Sequence, residues 1–376
     1  MQNIRFQKPR VKSCYYIFPL KNNHLQVGVT HGHAFSISDE GGRISYLLGL
    51  LNGERTLAQI TGAFRRRYGE IKQQEIEDIL SQLDKHSLIE DAALIPPVSL
   101  SSQELQRYQN QLAFFLMFTK NGLSKYDVQA RLKNSAVTLI GLGGGGSHIL
   151  ISLAAMGVGK IVGVDFDKVE RKNLNRQILY TENEVGKLKT DVATRRVKEI
   201  NPHVKFEAVN MRVDSLPKAR RVIKNTDFVI CTADGPVYTL YEVVNRACVE
   251  RGVPWISFGA VEATGIVGPL IVPGKTACYQ CIIDEKKRKN PDYLKNIDYI
   301  RRHEKRLDTT LTYPSFLPLF SYCGSLVVLE TTKLLTGFVK PTLYGKIYSI
   351  DFATMKPTTE SFERDFKCAI CRDVKT

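Results

Sequence analysis

The residues best suited to chemistry are two tight cysteine pairs, Cys278-Tyr279-Gln280-Cys281 and Cys368-Ala369-Ile370-Cys371, and one glycine-rich run, Gly141-Leu142-Gly143-Gly144-Gly145-Gly146. Each C-x-x-C offers two thiolates at tight-turn spacing. Two such pairs supply the four sulfur ligands of one tetrahedral zinc, leaving no open position for a substrate, so the metal is structural. It would tie the C-terminal tail to the strand-turn after Val272-Pro273-Gly274-Lys275. One pair alone could be a redox dithiol; the second pair favours metal. Cys14, Cys231, Cys248 and Cys323 stand alone. Cys231 ends a strand-like run and Cys323 lies in a buried helical pattern, so neither reads as a nucleophile that would hold a thioester.

The glycine run has the spacing G-x-G-x-x-G. It follows the strand-like Ala136–Ile140 and precedes a helical pattern, Ser147 to Val158. In that context Gly141, Gly143 and Gly146 let the chain turn tightly and bring backbone N–H groups to a phosphate at a helix N-terminus. The next strand, Lys160 to Val164, ends at Asp165, where a carboxylate can take the ribose hydroxyls. These features alone fit a dinucleotide-dependent dehydrogenase as well as an ATP enzyme.

The chain has 376 residues, enough for two domains with separate cores. Residues 13 to 30 carry two strand-like stretches around the turn-prone Lys21-Asn22-Asn23, which predicts a hairpin. Three helical segments follow near 43 to 51, 56 to 68 and 73 to 86, with Thr56 as an N-cap. Pro96-Pro97 and the Ser-rich stretch after them read as a linker, and a strongly apolar helix begins at Glu104. A second helix is expected near Lys125 to Leu132. Lysine and arginine exceed the acids by 53 − 38 = 15, an excess spread along the chain. It suits ATP or an acidic peptide, or simply a solubilising surface. No base-reading module is evident, so no nucleic-acid partner is expected. No apolar run reaches membrane-spanning length and no signal sequence is evident, so a cytoplasmic protein with no membrane partner is expected.

The stretch Asp165-Phe166-Asp167…Asn173-Leu174-Asn175-Arg176-Gln177, followed by Val185-Gly186-Lys187-Leu188-Lys189-Thr190-Asp191, resembles the signature of the E1, MoeB and ThiF superfamily of adenylating enzymes. The resemblance runs from about Arg107 to the C-terminus. It implies an α/β fold, a Rossmann-type E1-like domain that uses ATP and Mg2+ and carries the structural Zn2+ on Cys278, Cys281, Cys368 and Cys371. It further implies Asp165 on ribose beside Asp167, Asn173 and Gln177 on phosphates, and Arg176 and Lys189 answering the charge that builds up as a carboxylate attacks the α-phosphate. Lys187 is the rival for the lysine role. Asp234 would position magnesium, although T-A-D-G stands here where the family has T-D-N. The family's R-Y-x-R-Q, whose second arginine reaches a partner subunit's ATP, is replaced by Arg107-Tyr108-Gln109-Asn110-Gln111, while a homodimer is still expected.

Residues 1–92 are similar to the winged-helix (α+β) domain called the RiPP recognition element, on the strength of Leu50-Leu51-Asn52-Gly53-Glu54-Arg55-Thr56 and Arg67-Tyr68-Gly69. This implies a leader peptide added as a strand at a sheet edge. The division is then 1–92, a linker at 93–103, and 104–376. Gly268-Pro269-Leu270-Ile271-Val272-Pro273-Gly274-Lys275 resembles the branch that modifies ribosomally made antibiotic peptides, such as the microcin C adenylating enzyme and the pantocin A maturation enzyme. The partner is then a ribosomal precursor peptide, its leader held and a core carboxylate, a glutamate side chain, activated for cross-linking. The alternatives are attachment of a nucleotide as in microcin C, activation of a small protein's C-terminus, or a non-catalytic leader-binding scaffold. The charged stretch from Asp284 to Arg306 reads either as a solvated helix and loop or as a lid over peptide and ATP.

Overall fold

The computed structural model describes residues 6–29, 34–120, 122–236, 239–292, 295, 298–300, 302–303 and 314–374. The chain divides into two compact units, Met1–Ala130 and Arg131–Thr376.

In the first unit, β1 (Pro9–Val11) pairs antiparallel with the distant β5 (Ile89–Asp91). Strands β2 (Ile17–Leu20), β3 (His24–Val27) and β4 (Phe35–Ser38) form an antiparallel sheet in that order. The expected hairpin is present as β2 and β3. Asn22 and Asn23 take φ of 62° and 56° at its turn, a region that asparagine tolerates better than most residues. Helices α1 (Arg43–Leu50), α2 (Leu57–Tyr68) and α3 (Gln73–Lys85) match the periodicity. Thr56 caps α2 in a capping box with Gln59. Leu47, Ile60, Phe64, Ile76, Leu80 and Ile89 are buried together in one core. The apolar helix expected from Glu104 is instead two, α4 (Ser102–Arg107) and α5 (Gln109–Leu116). Tyr108, at φ −96° and ψ 10°, leaves helical geometry between them, and Ser101 caps the first. Helix α6 (Lys125–Asn134) follows.

The second unit is built on one eight-stranded sheet, formed by β6 (Ala136–Ile140), β7 (Lys160–Asp165), β8 (Lys205–Asn210), β9 (Phe228–Cys231), β10 (Trp255–Val261), β11 (Thr264–Ile271), β12 (Lys346–Asp351) and β13 (Lys356–Ser361). Its order is β13-β12-β11-β10-β9-β6-β7-β8. From β10 to β8 the strands run parallel, whereas β11, β12 and β13 are antiparallel additions. The intervening helices are α7 (Gly144–Met156), α8 (Lys189–Ile200), α9 (Leu216–Val222), α10 (Thr239–Arg251), α11 (Tyr279–Lys289) and α12 (Leu317–Thr336). The central strands β6, β7 and β9 are largely apolar and buried, as expected of a parallel sheet whose two faces are covered. After β6 the chain steps to β7 and β8 on one side, then returns to β9 on the other. The crevice at the carboxyl ends of β6 and β9 is the switch point where open α/β sheets bind ligands. The charged segment from Asp284 is helical to Lys289, and residues 293–294, 296–297, 301 and 304–306 of its remainder lie outside the described residues. Among the described residues no helix is long and apolar enough to cross a membrane.

Candidate active site and metal centre

The glycine loop lies at the switch point. Gly141 leaves β6 at φ +96°, and a Cβ there would stand 2.7 Å from the backbone nitrogen of Ala233. A Cβ on Gly146 would stand 2.0 Å from the Gly141 carbonyl oxygen. Neither position accepts a side chain without moving backbone. Gly143 precedes the first residue of α7, and its missing Cβ would point toward Gln177 Nε2, 3.7 Å away.

Asp165 ends β7 with one oxygen accepting the N–H of Leu142 at 2.7 Å and the other that of Asp167 at 2.9 Å. Burial raises its carboxyl pKa, against the pull of Lys189 and these two N–H groups. Lys189 is the first residue of α8; its buried Nζ is 2.8 Å from Asp167 and 4.0 Å from Asp165. Its backbone is pinned as well, since the Lys189 N–H donates to the Asp167 carbonyl and Lys168 bridges Leu188. Lys187, the rival lysine, is exposed.

Arg176 is half-buried, its guanidinium donating to the Lys172 carbonyl and to Asn175 Oδ1. Asn173 is buried and accepts the Glu170 N–H. Asp234, three residues past β9, is reached by solvent yet hemmed in by surrounding chain. Lost hydration therefore raises its carboxyl pKa, while Arg176 and Lys189 draw it down and Asp167 pushes it up. These mutual effects bring Asp167, Arg176, Lys189 and Asp234 into one electrostatic neighbourhood.

Two features of this cradle fit a nucleotide. Gln177 is buried with its Oε1 lacking a donor among the described residues, a costly arrangement unless a ligand completes it. Asp165, Asp167 and Asp234 outnumber Lys189 and Arg176 three to two, so a polyphosphate here calls for a divalent cation. A hard cation bound by carboxylate and phosphate oxygens suits that need.

Several supporting residues had no signal in the sequence. The Tyr180 hydroxyl donates to the Leu142 carbonyl at 2.9 Å, and Thr232 Oγ1 to the Gly141 carbonyl at 3.0 Å. Phe258 and Phe320 occupy the space in front of Gly145 and Gly144.

The four paired cysteines converge, with all four sulfurs within 4.8 Å of one another. The Sγ separations are 3.7 Å for Cys278–Cys281, 3.7 Å for Cys278–Cys368 and 3.5 Å for Cys281–Cys371. A tetrahedral zinc with Zn–S bonds of about 2.3 Å has sulfurs about 3.8 Å apart, so the donor set fits that ion. Arg364 fastens the same tail, donating to the carbonyls of Gly274, Cys371 and Val374 at 2.6, 2.7 and 2.6 Å. Cys231 and Cys323 are fully buried, and burial pushes each thiol up to about 12, far from a reactive thiolate.

Comparison with known proteins matches residues 108–370 to the ThiF family. The molybdopterin-synthase adenylyltransferase of Escherichia coli strain K12 is 29% identical over 272 residues, 72% of this chain and 98% of that protein. The sulfur carrier protein adenylyltransferase of Thermus thermophilus is 29% identical over 281 residues, 73% of this chain and 94% of that protein. Among solved structures, E. coli MccB with ATP superposes with a TM-score of 0.75 at 24% identity, over 96% of this chain and 99% of that one. The microcin C7 biosynthetic enzyme MccB in complex with N-formylated MccA gives 0.76 at 23% identity, over 96% and 99%. PaaA gives 0.72 at 22%, over 94% and 100%. With its family match spanning the glycine loop, the acid that ends β7, Lys189, Asp234 and three of the four paired cysteines, the chain belongs to the ThiF family and is an ATP-dependent adenylating enzyme.

Proposed function

We propose that this enzyme adenylates a carboxylate of a ribosomally made precursor peptide, a glutamate side chain activated for cross-linking in peptide-antibiotic biosynthesis. The observation that carries this reading is coverage. The E. coli molybdopterin enzyme accounts for 98% of itself but only 72% of this chain, whereas MccB, solved in complex with MccA, spans 96% of it. The family match begins at residue 108, so the extra part falls mainly in the residues before it.

In this reading residues 1–92 are a winged-helix RiPP recognition element that holds the leader, 93–103 a linker and 104–376 the adenylation domain. The three-stranded sheet ends in β2 and β4, and β4 offers an edge for strand addition. Phe18, Leu20 and Phe35 on these strands are exposed and provide apolar contacts for alternate side chains.

In the second unit, Gly141, Gly143 and Gly146 admit the phosphates, Asp165 takes ribose, and Asn173 and Gln177 hold phosphate oxygens. The peptide carboxylate oxygen attacks the α-phosphorus, the bond to the bridging oxygen breaks, and pyrophosphate leaves with the electron pair. Arg176 and Lys189 stabilise the charge that grows on the phosphates. Asp234, with Asp167 nearby, would hold Mg2+, which neutralises pyrophosphate as it departs. A second group of the core then attacks the acyl carbon and releases AMP. Cys278, Cys281, Cys368 and Cys371 hold Zn2+ as a structural clamp, and the enzyme works as a cytoplasmic homodimer.

The test is incubation with ATP, Mg2+ and a candidate precursor peptide, read by AMP, pyrophosphate and intact peptide mass. Loss of one or two waters supports cross-linking, and gain of an AMP-sized mass indicates nucleotide attachment instead. AMP release only with a protein ending in Gly-Gly would replace the peptide reading by small-protein activation. No AMP or pyrophosphate with any of them would leave a leader-binding scaffold.

A further inference from the structure

Along the carboxyl edge of the parallel strands the site has an order: Asp165 on β7, the glycine loop on β6, and Asp234 after β9. The next strand is β10. Beyond its end lies a pocket of about 350 Å³, lined chiefly by Ala260, Ala263, Phe316, Leu319, Phe320 and Phe352. Apart from Glu262 and Ser315 its walls are apolar. The β9–β10 ladder pairs Ser257 with Cys231, so β10 runs beside the strand that leads to Asp234.

Phe320 joins this pocket to the chemistry. Its ring is 3.1 Å from where a Cβ on Gly144 would stand, and it meets Phe258, which covers Gly145, edge-on at 5.7 Å. Phe316, which also lines the pocket, is 64% exposed, a large apolar surface left to solvent. The nucleotide is not the natural occupant. A ribose held at Asp165 is three strand spacings from β10, about 14 Å, and phosphates gain nothing from carbon walls. The remaining reactant is the one that brings the carboxylate.

We propose that this pocket seats the side chain neighbouring the carboxylate that is adenylated, and that the substrate carries a bulky apolar or aromatic residue there. This rests on the peptide reading above and adds a specificity element to it. Ala260 and Ala263 leave the volume open, Phe316 and Phe352 flank it, and Phe320 sets the distance between the seated side chain and the phosphate loop.

The probes are acetylated tetrapeptide amides with one glutamate, flanked on either side by phenylalanine or by serine. Their binding to the zinc-loaded enzyme with Mg2+ and a non-hydrolysable ATP analogue is followed by ligand-observed NMR. A phenylalanine-bearing peptide is expected to bind about 10- to 100-fold tighter than its serine counterpart, the return for burying an aromatic ring. Ala263→Trp, which fills the pocket from an exposed turn, and Phe316→Ala, which removes a wall, should each erase that preference while leaving affinity for the ATP analogue unchanged. Equal affinities, no binding of either peptide at millimolar concentration, or a preference that survives in both variants would overturn the inference. Failure of every precursor peptide to release AMP would instead sink the broader reading, even if the preference for phenylalanine held.

Discussion

Replacing Lys189 by methionine tests the electrostatic core of the site. The side chain is buried, so its charge acts through protein rather than bulk water, with Nζ 2.8 Å from Asp167 and 4.0 Å from Asp165. A unit charge about 4 Å from a phosphate oxygen contributes about 4 kcal/mol at an effective dielectric constant of about 20. Pairing with Asp167 offsets part of that, leaving a loss of about 2 to 4 kcal/mol, or about 30- to 1000-fold in rate. Methionine comes within one atom of the length of lysine and removes the charge together with its hydrogen bond to Asp167. Single-turnover release of pyrophosphate, with the substrate found in the incubation assay, separates this step from product release. The matched control is Lys187→Met, at an exposed position, expected to stay within a few-fold of the parent enzyme. The result that refutes the reasoning is the reverse pattern, with Lys187→Met slow and Lys189→Met active. The variant should also change stability. Lys189 holds down the pKa of Asp165, which burial raises. Without it the folded-state pKa climbs further above the unfolded value, so the unliganded variant is favoured at low pH and loses stability as pH rises through that folded-state pKa.

Other perturbations follow the same logic. The carboxyl pKa of Asp234 is raised in the folded protein, so its ionised form destabilises the unliganded fold; Asp234→Asn should raise the Tm at neutral pH while depressing pyrophosphate release, and calorimetry showing a lower Tm would contradict this. Gly141→Ala puts a Cβ 2.7 Å from backbone at φ +96°, and its affinity for ATP should fall by at least about tenfold in a direct binding titration. Cys368→Ala should abolish stoichiometric zinc in elemental analysis and lower the Tm by about 5 °C or more, loss of stability preceding any loss of chemistry; a variant that stays folded and zinc-loaded yet inactive would show that this cysteine has another role. Cys323→Ala should release AMP at close to the parent rate, because a buried thiol near 12 offers no thiolate for a thioester.

Much of this was legible in the residues alone, for local reasons. A strand, a glycine loop and a helix are adjacent in the chain, so hydrophobic period and φ requirements identify them together. The same holds for Thr56 and its capping box, for the hairpin turn at Asn22 and Asn23, and for the two C-x-x-C pairs. The break at Tyr108 was not legible, since apolar periodicity continues through it. The pairing of β1 with β5 was also missed, because about 80 residues lie between partners whose own patterns are short.

The residues alone carried the available chemistry: phosphate binding at Gly141–Gly146, an acid at the end of β7, four thiols of metal-ligand type, and a family signature holding Arg176 and two neighbouring lysines. How those groups meet is a matter of the fold. It buried Lys189 against Asp165 and Asp167 while leaving Lys187 in water, brought Asp234 within reach of Arg176, drew Cys368 and Cys371 across 90 residues to Cys278 and Cys281 under the hold of Arg364, and opened an apolar pocket beside Phe320. The physical reason is range. Backbone preference and periodicity act over a few residues, whereas these encounters depend on the order of strands in the sheet, which no short stretch of the chain encodes.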